Sequence, residues 1–110
     1  MDCPEKIYHQ NELGCTRRCT CHNAIHLNFG NVSLLLSKSQ LSDFSEYISE
    51  AVTGCSLDTN DPDVRDIYLP TRDLCILFAV SYNELKNLLD LTEQTLIMLQ
   101  VDDVLSGLQD

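Results

Sequence analysis

A serine set directly after an apolar run, three residues ahead of Gln or Glu, occurs twice in this chain: Ser37-Lys38-Ser39-Gln40 and Ser81-Tyr82-Asn83-Glu84. At that spacing the serine hydroxyl accepts a first-turn N–H while the Gln or Glu side chain accepts the serine's own N–H. Each motif therefore marks a helix start. After the first, Leu41, Phe44, Ile48, Ala51 and Val52 recur at helical spacing, and Gly54 is read as the left-handed residue that ends the helix at 37–54. After the second, Leu85, Leu88, Leu89, Thr92, Leu96 and Leu99 recur in the same way. That helix is expected to reach about Gln100, with a frayed turn through Val104 and Leu105 or a break near Leu91-Thr92.

Each helix start follows a strand pair. Residues 25–29 alternate apolar and polar, Gly30-Asn31 reverses the chain, and 32–36 form a second strand. Residues 64–69 read as a strand, 70–73 as a turn, and 74–80 as a strongly apolar strand expected at the centre of a sheet. The halves match: Ile25-His26-Leu27 parallels Ile67-Tyr68-Leu69, and the capping motifs parallel each other, with the second turn two residues longer. One β-β-α unit cannot bury its apolar face alone, whereas two can by joining their hairpins.

The expected fold is therefore α+β: an N-terminal β-ribbon on duplicated β-β-α units, with an antiparallel sheet of four to six strands and two helices on one face. It would form a single domain over 1–110. Within it lie a Cys/His-rich ribbon at 1–24, a first unit at 25–54 and a second at 64–105. A turn-rich, acidic loop at 55–63 joins the units.

Four of the six cysteines and all three histidines fall within the first 26 residues. Residues 7–9 and 15–18 are expected to pair across 10–13 with Tyr8 opposite Cys15. That register brings Cys3 toward Cys19 and gathers Cys3, Cys19, Cys21 and His22 at the open end of the ribbon. Thiolate and imidazole ligands in that number suit tetrahedral zinc, and four protein ligands would close the site, making it structural. His9 would sit at the far end and Cys15 would point elsewhere. The competing reading is a set of reduced cysteines packed as small apolar residues. No His-Glu-x-x-His or deaminase-type zinc pattern is present. A redox role at Cys19 or Cys21 lacks both the Cys-x-x-Cys spacing and a following helix N-terminus. The expected cofactor is thus none or a structural zinc.

Net charge is −10 and unevenly spread. Residues 1–36 balance, while 37–110 carry four basic residues against 14 acidic ones. That field repels phosphate backbones and argues against a nucleic-acid partner. Asp43, Glu46 and Glu50 share one helix face and hint at a basic partner. Asp58, Asn60, Asp61 and Asp63 resemble a calcium loop only loosely, because Gly and Glu are missing at the required positions; a solvated acidic loop is expected. Arg65 and Arg72 are expected to neutralise Asp66 and Asp73. No apolar run approaches a membrane span and no leader-type segment opens the chain, so a cytoplasmic protein is expected.

The runs Cys19-Thr20-Cys21-His22, His26-Leu27-Asn28-Phe29-Gly30-Asn31-Val32 and Arg65-Asp66-Ile67-Tyr68-Leu69-Pro70-Thr71 resemble a family of short uncharacterised Bacteroidetes proteins. That family has a cysteine-rich start, a Phe-Gly-Asn turn and an Arg-x-Ile-x-Leu-x-Thr strand. The resemblance covers about Cys15 to Leu105 and implies no activity. Where the family has a second knuckle cysteine, this chain has His22.

No nucleophile–base pair or phosphate-cradling loop can be placed on the chain. The expectation is a small cytoplasmic protein-interaction or regulatory module rather than an enzyme. A bare sheet face or edge strand would pair with a second copy, as a homodimer, or with another protein. The alternatives are a structural-zinc domain and a small thiol-dependent redox protein or enzyme.

Overall fold

The computed structural model describes residues 5–19, 24–55, 61–71 and 75–108. The elements in order are β1 (Glu5–Gln10), β2 (Gly14–Cys19), β3 (Ile25–Phe29), β4 (Val32–Leu36), α1 (Lys38–Cys55), β5 (Ile67–Pro70), β6 (Leu77–Val80) and α2 (Tyr82–Leu108). Strands β1 to β4 form an antiparallel sheet in that order, β5 and β6 form a second, two-stranded sheet, and the class is α+β.

The first hairpin closes over Gly30-Asn31, with Phe29 facing Val32. Gly30 has φ +55°, and it is the only described residue at positive φ. A two-residue loop with only its first position left-handed is the turn whose twist suits a hairpin. On one sheet face Ile25, Leu27 and Phe29 are buried. Thr16 lies opposite Leu27 on the same face. Both helices cover this face: Leu41 and Ile48 of α1 and Leu85, Leu88, Leu91 and Leu99 of α2 are buried against it or each other. Leu69 and Val80 of the second hairpin close one end of that core. The Phe78 ring meets Phe29 edge to face at 5.6 Å.

Both capping boxes form. Ser37 Oγ accepts Gln40 N–H at 3.1 Å, and Gln40 Oε1 accepts Ser37 N–H at 2.9 Å. Ser81 and Glu84 repeat the pair at 3.0 and 2.9 Å. In each unit the cap serine is the one residue between the second strand and the helix. Gly54 does not end α1; it lies inside the last turn, since α1 continues to Cys55 and Gly54 lacks a positive φ.

Four further expectations change. Tyr8 does not face Cys15: Gln10 does, and the register shifts between Ile7 and His9, leaving Glu5 opposite Cys19. The second hairpin is shorter than its apolar runs imply, with strands of four residues joined across six, and β6 is not central: Ile76 and Leu77 are half exposed. The first hairpin's sheet partner is the ribbon, through β2 on β3, rather than the second hairpin. Finally, α2 neither breaks at Leu91-Thr92 nor frays near Gln100; it runs 27 residues, about 40 Å at the usual rise.

That extension has a physical cause. Helix α2 lies along β1, and polar pairs fasten it at both ends. Asn11 Nδ2 donates to Asn87 O and Asp90 Oδ2 at 2.9 and 3.0 Å, and His9 Nε2 lies 2.7 Å from Asp90 Oδ2. At the other end Lys6 Nζ and Tyr8 Oη donate to Asp102 at 2.8 Å each, and Lys38 pairs with Asp103. Five strand steps from Asn11 to Lys6 and twelve helix steps from Asp90 to Asp102 both span roughly 17–18 Å, so the two ladders stay in register.

Candidate functional site

The two edges of the four-stranded sheet differ. Strand β1 is bulged at Tyr8, carries Lys6 and is tied to α2, all devices that blunt an edge. Strand β4, Val-Ser-Leu-Leu-Leu, has no charge, proline or register shift, and no described strand pairs with its outer side. The Phe29–Val32 pair closes a two-residue turn, so Val32, Leu34 and Leu36 turn their backbone groups toward β3. Ser33 and Leu35 then direct their N–H and C=O outward.

Beside this edge lies a cavity of about 370 Å³. Leu34 and Leu36 form one wall, Phe44 and Tyr47 of α1 a second, and Phe78 and Pro70 of the second hairpin a third. Gln40 and Asp43 stand at the α1 side. Tyr47 Oη donates to Pro70 O at 3.4 Å, linking α1 to β5 across it. A second cavity, of about 460 Å³, continues toward the hairpin turn between Asn31 and Val32 on one side and Leu77, Phe78 and Ala79 on the other. The second hairpin thus faces β4 without pairing with it, and a gap separates the two sheets' edges.

The zinc-type residues divide by placement. Cys3, Cys21 and His22 lie outside the described residues, as do Arg72 and Asp73; of Cys19 only the backbone, at the end of β2, is described. His9 is occupied by Asp90, consistent with its expected position away from the ribbon's open end. Cys15 pairs with Gln10 and Asn28, on the sheet face opposite Thr16. Among the described residues no three His, Cys, Asp or Glu side chains gather closely enough to hold a metal.

Arg65 does not neutralise Asp66. Its guanidinium grips Glu84 through Nε and Nη2, both at 2.9 Å, clamping the α2 capping box from outside. The guanidinium holds the Glu84 carboxyl below its ordinary range. Of the acidic loop, Asp61 Oδ1 accepts Asp63 N–H at 3.0 Å and Asp63 Oδ1 accepts Asn83 Nδ2 at 2.7 Å, so these carboxylates stitch the loop to the start of α2.

The longer α2 also presents a surface that reaches beyond its expected end near Gln100. Ile97, Val101, Val104 and Leu105 are each roughly half exposed and form one apolar stripe. Its sequence signal is the i, i+4, i+7, i+8 spacing of Ile97, Val101, Val104 and Leu105, on the side of the helix away from Leu88 and Leu99.

These features define a small α+β protein of two helices and two antiparallel sheets in which, among the described residues, the β4 edge of the four-stranded sheet has no paired strand. The chain belongs to DUF6686, a family of unknown function, matched over residues 1–106. No curated protein and no solved structure matches it. No helix among the described residues is long and apolar enough to cross a membrane.

Proposed function

We propose that this protein is a protein-interaction module that receives an extended segment of its partner along β4. The observation that carries this is the open Ser33–Leu35 edge directly beside an apolar cavity. Main-chain pairing at an edge supplies affinity, and a neighbouring pocket for alternate side chains supplies selectivity. A volume near 370 Å³ falls at the lower end of ligand cavities, roughly 300–1,000 Å³, room for a few side chains rather than a large cofactor. The test is selection of random linear peptides on the full chain, repeated with Leu35→Pro. Proline is tolerated on an edge whose N–H faces outward, so the fold should persist while the donor is lost. Peptides retained by the wild type and lost on the variant are expected; retention unaffected by the variant would end the reading.

A second reading concerns the ribbon's open end, where Cys3, Cys19, Cys21 and His22 would hold a structural zinc. It is supported by the Glu5–Cys19 pairing. Cys3 precedes Glu5 by two residues and Cys21 follows Cys19 by two, so the pair is equally spaced from both cysteines in sequence. Bound zinc would fasten two chain segments that a short ribbon holds weakly. Elemental analysis of protein purified without added metal decides it: about one zinc per chain, lost with Cys21→Ser, is expected, and a zinc-free chain with alkylatable thiols speaks against it.

A further inference from the structure

Taking β4 as a receiving edge, we infer that its occupant is a cationic extended peptide whose apolar side chain enters the cavity between β4, α1 and the second hairpin. The charge around the edge carries this. From Ser39 to Val64 the chain has no Lys or Arg and six acidic residues. Asp43 stands at the cavity, and Glu46 and Glu50 follow on the same exposed side of α1. The described bases nearest in sequence are committed elsewhere: Lys38 to Asp103 and Arg65 to Glu84. Among the described residues no base pairs with Asp43, Glu46 or Glu50, so an incoming strand meets an apolar slot beside these carboxylates.

Alternation fixes the pattern of such a peptide. Side chains on the Leu34 and Leu36 side face α1, so an apolar residue there fills the slot, and a Lys or Arg two positions away reaches Asp43 or Glu46. The intervening side chains lie on the uncovered sheet face, beside Leu35, which is 61% exposed. A second copy of this chain is a poor occupant. Its β4 carries no base, each copy brings a net charge of −10, and pairing would set two acidic α1 faces near each other.

The experiment sequences peptides selected on the full chain and measures their binding to wild type, Leu35→Pro and the exposed double variant Asp43→Lys/Glu46→Lys. Expected are peptides with an apolar-x-basic spacing. Their affinity should fall about tenfold with Leu35→Pro, for one lost backbone bond, and by about threefold to tenfold with the charge reversal. Added salt should weaken the wild type more than the reversal variant. Selected peptides without Lys or Arg, or binding indifferent to charge reversal but sensitive to Leu35→Pro, would overturn the cationic assignment and leave the edge standing. No enrichment, or binding unmoved by either variant, overturns both. A wild-type dimer in light scattering that Leu35→Pro dissociates would make a second copy the occupant and overturn the peptide assignment.

Discussion

Thr16 on β2 and Thr95 on α2 place their hydroxyls 2.5 Å apart, with neither residue exposing any surface. Thr95 Oγ1 also lies 2.6 Å from Leu91 O, which can only accept. A threonine has one hydroxyl proton. Thr95 therefore donates to Leu91, and Thr16 donates to Thr95.

This asymmetry predicts unequal mutants. Thr16→Val removes the outer donor and leaves the Thr95–Leu91 bond in place. Thr95→Val takes away the acceptor and strands the Thr16 hydroxyl in the core, which costs about 1–3 kcal/mol. Urea denaturation should rank Thr95→Val as clearly less stable than Thr16→Val, with the double variant closer to Thr16→Val than additivity allows. Equal losses would mean that the proton order is reversed or shared.

Gly14 is predicted to admit no side chain. A Cβ there would lie 1.8 Å from Asn28 O and 2.7 Å from its carbonyl carbon, both backbone atoms of the paired strand. Only separation of β2 from β3 relieves that overlap. Gly14→Ala should cost about 3 kcal/mol or more, seen as a large drop in the denaturation midpoint. Gly30→Ala is the control: its Cβ has open space, and only the left-handed φ is penalised, about 1–2 kcal/mol.

Asn11 uses both ends of its amide. Its Oδ1 accepts Leu13 N–H and Gly14 N–H at 2.9 and 3.2 Å, holding the β1–β2 turn, while Nδ2 reaches α2. Asn11→Asp preserves the first function and reverses the second, setting a carboxylate beside Asp90. Burial pushes the Asp90 carboxyl up, but bonds from Asn11 and His9 outweigh it and hold the group below its ordinary range. Asn11→Asp is expected to destabilise the chain at neutral pH and to recover part of that loss in acid, as the two carboxylates share a proton. A deficit independent of pH would argue against a direct contact.

The pH profile of the wild type has two limbs, and Asp102 belongs to both. The bond from Lys6, then that from Tyr8, hold the Asp102 carboxyl below its ordinary value of 3.8. A lowered folded value means that the unfolded chain binds the proton more tightly. The stabilisation is thus present above pH 3.8 and disappears as pH falls through the lowered value. On the basic side, the bond to Asp102 raises Lys6 above 10.5, and burial raises Tyr8 above 10.0. Groups with raised folded values contribute fully below those ordinary values, and that contribution is lost as pH climbs through the folded ones. Asp102→Asn should flatten the acid limb and the Lys6 part of the basic limb in denaturation midpoints taken across pH, leaving the part due to Tyr8 burial; a variant profile parallel to the wild type would refute the assignment.

What could be read from the residues was mostly local. Two capping boxes, the Gly30-Asn31 hairpin and the apolar face of α1 all depend on groups within a few positions of each other, and each stands where its pattern placed it. The ribbon register is not local: the bulge at Tyr8 accompanies bonds to Asp102, 94 residues away. The length of α2 is likewise set by Lys6, Tyr8 and Lys38 gripping Asp102 and Asp103. For the candidate site, the acidic face of α1 and an open edge were legible. The cavity was not, because its third wall comes from a hairpin that faces β4 without pairing.

The two helix caps share chemistry but not surroundings, which makes them a controlled comparison. Ser37 and Gln40 are exposed, and their side chains serve only the helix start. Ser81 is 3% exposed, and its partner Glu84 is gripped by Arg65, itself part of the loop leading into β5. Ser37→Ala therefore loses a cap at an exposed helix end, near 0.5–1 kcal/mol, while Ser81→Ala should reach about 2 kcal/mol, the upper end for cap removal. Removing Arg65 should shrink this difference, since it frees the Glu84 side chain whose fixed position makes the Ser81 cap worth more. Chemical denaturation of the three single variants and the Ser81→Ala/Arg65→Ala pair measures the coupling directly; equal penalties at both serines would show that the Arg65 grip adds nothing to the cap.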